Sequence, residues 1–103
     1  LQVKVSKEAA EELETEALWY EAEQPGLGAR LTSAFEDAVR LLSEPNPPLV
    51  NTTGQAAKLG AKRLLLHRFP FSLVITQHND EMVVIAFAHF RQFPNYWMSR
   101  LRQ

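Results

Sequence analysis

AKRLLLHRFPFSLVITQHNDEMVVIAFAHFR, residues 61–91, is the stretch whose reading decides the fold. Residues 63–69, 71–77 and 82–90 are rich in branched and aromatic side chains, the types that pack well on a pleated surface. Pro70 divides the first two segments, and His78-Asn79-Asp80-Glu81 divides the second from the third. Connections this short join antiparallel neighbours, because a parallel crossover needs a dozen or more residues. The stretch therefore predicts a three-stranded antiparallel meander. Strict alternation would put Phe71, Leu73 and Ile75 on one face of the middle strand, and Val83, Ile85 and Phe87 on one face of the last. Both faces carry apolar residues, so the sheet is expected to be covered on one side and partly covered on the other.

Upstream, hydrophobic spacing changes to the helical period. Val3 and Val5 alternate with polar residues as a short first strand, and Ser6 stands where an N-cap would. Glu8, Glu11 and Glu12 load the positive end of a helix whose narrow stripe is Ala10, Leu13, Ala17 and Tyr20, running to Glu23. Pro25-Gly26 stops it. A second helix follows from about Gly28, with Leu31, Ala34, Phe35, Ala38, Leu41 and Leu42 on one face, and Pro45, Pro47 and Pro48 end it. The short break makes the pair an antiparallel hairpin. Residues 45–60 lose all periodicity and read as a loop. Downstream of the meander, Pro94 fits the first turn of a short terminal helix carrying Trp97 and Leu101. Helices and strands that segregate along the chain mean an α+β domain, here a single one over residues 1–103.

Composition bounds the function. With 46% hydrophobic residues in a chain of 103, one core is affordable and two are not. The chain has no cysteine, which removes disulfides, thiolate metal sites and a cysteine nucleophile together, and fits a reducing cytoplasm. No apolar run approaches the roughly 20 residues of a membrane helix, so no membrane partner is expected. No signal-like segment is visible either, although Leu1 is no initiator and a trimmed leader would escape this reading. Residues 1–44 hold ten acidic and four basic side chains, a net of −6, while residues 45–103 hold two and seven, a net of +5. An anionic partner should prefer the second half. A net charge of −1 nonetheless argues against strong nonspecific nucleic-acid binding.

Three stretches resemble the RelE/ParE toxin superfamily, and its ParE-like (plasmid stabilisation) branch in particular. Glu16-Ala17-Leu18-Trp19-Tyr20 followed by Gln24-Pro25-Gly26-Leu27-Gly28 is similar to that branch's first helix and tight turn. Residues 62–74 resemble its central hairpin, and residues 86–91 with Pro94 and Tyr96-Trp97 its last strand and C-terminal segment. The resemblance implies an N-terminal strand, a helical hairpin on an antiparallel sheet and a short C-terminal helix. It also implies a toxin neutralised by a cognate antitoxin. ParE-like toxins act on DNA gyrase and RelE-like ones cut messenger RNA on the ribosome; one scaffold hosts both, so the fold cannot choose.

The site can. Metal-independent RNA cleavage needs a base, an acid and cations for the phosphate. Residues 45–79 contain no Asp or Glu, so the loop and central strands offer no carboxylate base. Ser72 stands near where the ribonuclease branch places a phosphate-binding arginine, and Phe90 where its histidine-bearing members have tyrosine. His89, at the end of the last strand, is the one acid–base candidate, weighed against a plain structural hydrogen bond to the C-terminal segment. Arg68 and Arg91 should approach one another near His89 in the meander. Arg63, Arg68, His89, Phe90, Arg91 and Trp97 are accordingly the candidate contacts to target or antitoxin, arginine because its planar fork grips carboxylates and phosphates. Against that stand a solvated rim for the arginines and simple packing for Trp97. Trp19 is expected in a widened packed face of the first helix, and the acids from Glu8 to Glu23 on a solvated one. His67, His78 and His89 are spread over the meander too widely to share a metal, and no phosphate loop, nucleophile elbow or zinc motif occurs, so no metal and no cofactor are expected. The sequence thus points to a binding toxin aimed at gyrase. A ribosome-dependent endonuclease using His89 with Arg63 or Arg68 and a degenerate, non-toxic antitoxin-binding module are the alternatives. A homodimer is left open.

Overall fold

The computed structural model describes residues 2–92 and 95–102. In chain order it has β1 (Gln2–Val5), α1 (Lys7–Glu23), α2 (Leu27–Leu42), β2 (Val50–Asn51), α3 (Gly54–Lys58), β3 (Lys62–Leu65), β4 (Phe71–His78), β5 (Glu81–His89) and a 3₁₀ turn (Met98–Arg102). One five-stranded sheet runs in the order β1-β5-β4-β3-β2. Strands β2 to β5 pair antiparallel, so the predicted meander is present, whereas β1 lies parallel to β5 at the edge. The helical hairpin makes that parallel return feasible, since it carries the chain away from β1 before the meander brings it back.

Local chemistry explains the helix ends. The Ser6 side chain accepts the Ala9 N–H at 3.1 Å, the expected N-cap. Gly26 adopts φ 91°, and the two first free N–H groups of the turn, on Gly26 and Gly28, donate to the two carboxylate oxygens of Glu21 at 2.8 and 3.0 Å. A carboxylate at the positive end of α2 is favourable there. Gly28 also lets the helices touch, because a Cβ at that position would lie 2.4 Å from the Ala17 carbonyl oxygen.

Each sheet face has its own core. Against the hairpin, Leu31, Phe35, Ala38 and Leu42 of α2 meet Phe71, Leu73, Ile75, Met82, Val84 and Phe87. The rings of Phe71 and Phe87 stack at 4.5 Å and 8°, with Phe35 edge-on to Phe87. On the other face, Val74, Ile85, Ala86 and Ala88 are covered by Trp97, and Ala56 of α3 joins them. Burying a ring of this size contributes about 1.5–3 kcal/mol, so the two clusters account for why both faces of the meander are apolar.

Four expectations need correction. Strand β3 stops at Leu65, because Leu65 pairs with Ser72 and the chain must reverse through Pro70, leaving Leu66 N–H to reach the Phe71 carbonyl. Residues 45–60 are not a plain loop but contain β2 and α3, both too short to leave a periodicity. Phe87 does not share a face with Val83 and Ile85. Val74 pairs with Ala86 and Ile75 with Val84, so Ile85 opposes no residue, and this bulge switches the phase of the strand. Trp19 is 57% exposed, edge-on to Tyr20, rather than packed. The expectation that Pro94 opens a terminal helix lies outside the described residues; the 3₁₀ turn begins only at Met98.

Candidate functional site

Beyond the second core, the same sheet face hollows out. Ser72 and Ala88 are direct cross-strand partners there, and two such small side chains leave room where Val74 and Ala86 are packed. The resulting cavity holds about 200 Å³. Arg63 from β3, His89 and Phe90 at the end of β5, and Tyr96 and Trp97 from the C-terminal segment form its walls. Asn51, Thr52 and Thr53, from β2 and the link to α3, close the far side. Thr52 is itself fixed by donating to the Ala61 carbonyl at 2.7 Å.

The lining is rich in donors and contains no Asp or Glu among the described residues. Arg63 enters no ion pair among the described residues. His89 Nδ1 accepts the Arg91 N–H at 2.9 Å, which in the neutral ring leaves the proton on Nε2. Its ring stands edge-on to Phe71 at 5.0 Å, and the His89 backbone N–H donates to the Gln92 side-chain oxygen. Ser72 is 1% exposed, and its Oγ has no hydrogen-bond partner among the described residues. A buried hydroxyl left so costs about 1–3 kcal/mol. No base among the described residues sits on Ser72.

Tyr96 brings a phenol to this cavity, but its hydroxyl points away. It donates to Glu12 Oε2 at 2.5 Å. Glu12 also accepts from both terminal nitrogens of Arg100, at 3.0 and 3.2 Å, and from the Phe87 N–H at 3.0 Å. Arg100 in turn donates to the Ile85 carbonyl at 2.9 Å. The logic is local: β1 last pairs at Val84, so the outer edge of β5 at the bulge would otherwise have unpaired backbone groups. Burial, then the bond to Glu12 and its charge, push the Tyr96 phenol well above its ordinary value. Burial works against charge on Arg100, but the bond to Glu12 and the charges of Glu12, Tyr96 and Glu8 together outweigh it and the guanidinium is raised. The acids of α1 are thus not all solvated, since Glu12 and Glu21 both make structural bonds.

Of the residues singled out from sequence, Arg63, His89, Phe90 and Trp97 come together at this cavity, and Arg91 joins through its backbone bond to His89. Trp97 is 3% exposed, a packing residue whose edge reaches the cavity, while Phe90 is 50% exposed at the rim. Arg68 is elsewhere. It lies with Ala34 and Asp37 against α2, because β3 ends three residues before it and the reversal turns it to the helical side. Asn51 and Thr52 went unnoticed in sequence, for a two-residue strand carries no signal. Among the described residues, no group of three His, Asp or Glu side chains could hold a metal ion, and no helix is long and apolar enough to cross a membrane.

No family model matches the sequence, and no curated protein matches it. Among solved structures, a chain described as the chromosomal ParDE TA system from P. aeruginosa aligns at a TM-score of 0.73 and 18% identity, covering 86% of this chain and 95% of that chain. This chain has the ParDE-system chain's fold. The N-terminal strand and the helical hairpin packed on a sheet, as implied by the ParE-like resemblance, are therefore observed, with a 3₁₀ turn in place of the short C-terminal helix. At 18% identity the ParDE likeness speaks for the backbone, and residue roles must come from this chain's own side chains. In this fold the hairpin leaves a second surface, an apolar groove between α2 and β3 lined by Ala34, Ala38, Leu41, Leu64 and Leu65. Past Arg63, β3 has no strand on its outer side among the described residues.

Proposed function

We propose that this chain is the toxin of a type II toxin–antitoxin pair, ParE-like, neutralised by a cognate antitoxin and acting on DNA gyrase by binding. The observation that carries this reading is the near-full-length fold match to a chain of a ParDE system. Gyrase comes from the resemblance to the ParE-like branch. The non-catalytic mode is supported by the cavity chemistry: no carboxylate lines it, the Tyr96 proton is engaged with Glu12, and one His89 nitrogen is already used. An acid–base pair for strand cleavage is therefore incomplete.

The antitoxin would approach as a segment that folds on binding. Exposed Leu18 and Trp19 on α1, with the groove beside Leu41 and Leu65, give it apolar anchorage, and the open edge of β3 offers backbone groups to an added strand.

Expression of the chain alone, followed in parallel by gyrase supercoiling and by the integrity of translated messages, tests the function. Loss of supercoiling with intact messages is expected. Cleaved messages, abolished by His89→Ala, would establish the ribonuclease reading, favoured only by Arg63 and His89 sharing one cavity. Growth unaffected by expression would indicate a degenerate binding module. Co-purification with the product of an adjacent small gene tests the partner, and a pair that never associates would sink the proposal.

A further inference from the structure

Helix α1 carries apolar side chains on both of its faces. Ala9, Leu13, Ala17 and Tyr20 pack toward the sheet. On the opposite face Thr15, Leu18, Trp19 and Ala22 are all exposed, Leu18 by 66% and Trp19 by 57%. Their three- and four-residue spacing makes them one ridge two turns long. The rim of this ridge is anionic. Glu14 stands one turn before Leu18, Glu16 and Glu23 one turn to either side of Trp19, and Glu11 one turn before Thr15. Among the described residues Glu14, Glu16 and Glu23 enter no ion pair, and Glu11 meets only Lys7, at 4.0 Å. Lys7 is the one basic residue of the helix, so the ridge itself supplies nothing to neutralise its carboxylates.

We infer that this ridge docks a cationic amphipathic helix of a partner protein, with apolar side chains on Leu18 and Trp19 and Arg or Lys side chains over Glu14, Glu16 and Glu23. A ridge at this spacing is the relief into which the side chains of a second helix interdigitate. An arginine laid beside the exposed indole gains its ring face as well as the carboxylates. Other occupants fit less well. A second copy of this chain would bring the seven glutamates of its own α1 against these, and an anionic lipid surface would be repelled in the same way. The groove on the far side of α2 selects the opposite charge, since Arg30, His67 and Arg68 stand at it while its Asp37 is paired with Arg40. The two apolar surfaces therefore suit differently charged segments. The inference rests on the toxin reading only for the owner of the helix, the antitoxin, and adds the chemistry of the segment that lies on α1.

Designed helical peptides titrated into the full chain test the ridge. The probe has leucine along one face with arginine flanking it; one control carries glutamate for every arginine, the other serine for every leucine. Trp97 is buried and Trp19 exposed, so a change in emission reports α1. Saturable binding of the cationic peptide is expected, with a blue shift of Trp19 emission and amide shifts centred on residues 11–23, and neither control should bind. Leu18→Ser with Trp19→Ser should weaken binding at least about tenfold. Glu14→Gln with Glu16→Gln and Glu23→Gln should weaken it about tenfold at low salt and less at high salt. Neither variant should lower the melting temperature, which separates a lost contact from a damaged fold. Equal affinity for the acidic peptide, amide shifts centred outside α1, or undiminished binding in the Leu18→Ser, Trp19→Ser variant overturns the inference. Self-association of the chain that Trp19→Ser abolishes overturns it in favour of a second copy. Co-purification of the adjacent gene's product, measured alongside, stays intact in the triple glutamine variant if only the ridge is wrong, and fails already in the wild type if the toxin reading is wrong.

Discussion

Gly28 and Ser72 carry opposite kinds of constraint. At Gly28 a Cβ would sit 2.4 Å from the Ala17 carbonyl oxygen and 3.0 Å from the Glu21 side chain, and the first of these is backbone. Relief requires the two helices to part. Gly28→Ala should therefore destabilise the chain by about 1–3 kcal/mol despite alanine's better helix propensity, read as a lower urea midpoint. A midpoint that stays or rises would mean that α1 and α2 tolerate separation. At Ser72 the side chain itself is the liability, since its hydroxyl is desolvated without a partner among the described residues. Ser72→Ala is expected to leave stability unchanged or raise it by up to about 1 kcal/mol in the same measurement. Neither constraint was legible in the sequence. Pro25-Gly26 could be read as a stop because its effect is local, and Gly26 does adopt φ 91°. The need for glycine at Gly28 arises from Ala17 on the other helix, and the isolation of Ser72 from three strands at once.

Strand β5 shows how one extra residue redirects a whole element. The bulge at Ile85 sends Phe87 to the hairpin side, where it stacks on Phe71, and strict alternation cannot foresee that. The meander was legible because branched and aromatic runs with short connections leave few other pairings. The bulge was not, for its stabilisers, Glu12 and Arg100, come from opposite ends of the chain. Glu12→Ala should cost about 2–4 kcal/mol, because it strips the Phe87 N–H, the Tyr96 hydroxyl and a mostly buried Arg100 of their shared acceptor. A loss below about 0.5 kcal/mol in chemical denaturation would show that the clasp closes on a bulge already stable without it. The same cluster predicts a pH dependence. The Tyr96 phenol is raised by burial first and then by Glu12, so above the unfolded value of 10.0 the folded chain retains a proton that the unfolded chain has lost. Its contribution is complete below about pH 10 and declines as pH rises toward the folded value. Tyr20 is raised too, by burial and then Glu16, so Tyr96→Phe should reduce the alkaline slope rather than abolish it. An identical slope in wild type and Tyr96→Phe, from urea midpoints between about pH 9 and 11, would contradict this assignment.

Across the whole molecule, most of the acidic first half forms the hairpin, whereas the basic second half supplies the meander and the segments around it. Basic residues are split further, Arg63 at the cavity and Arg68 against α2, so the chain offers two separate cationic rims rather than the single one that the sequence suggested. The apolar surface is divided in a similar way. Leu18 and Trp19 are 66% and 57% exposed on α1, and Leu41 and Leu65 flank the groove on the far side of α2. Exposed side chains of this size contribute little to folding, yet a tryptophan at the centre of an interface is the kind of residue on which binding energy concentrates. If the antitoxin wraps the hairpin, the double substitution Leu18→Ser with Trp19→Ser should keep the unfolding free energy within about 0.5 kcal/mol of wild type while weakening antitoxin capture at least about tenfold. The paired measurement separates a docking surface from a folding surface. Undiminished capture with unchanged stability would place the antitoxin on the groove instead, where Leu65→Glu, at a half-open strand edge, should then abolish it.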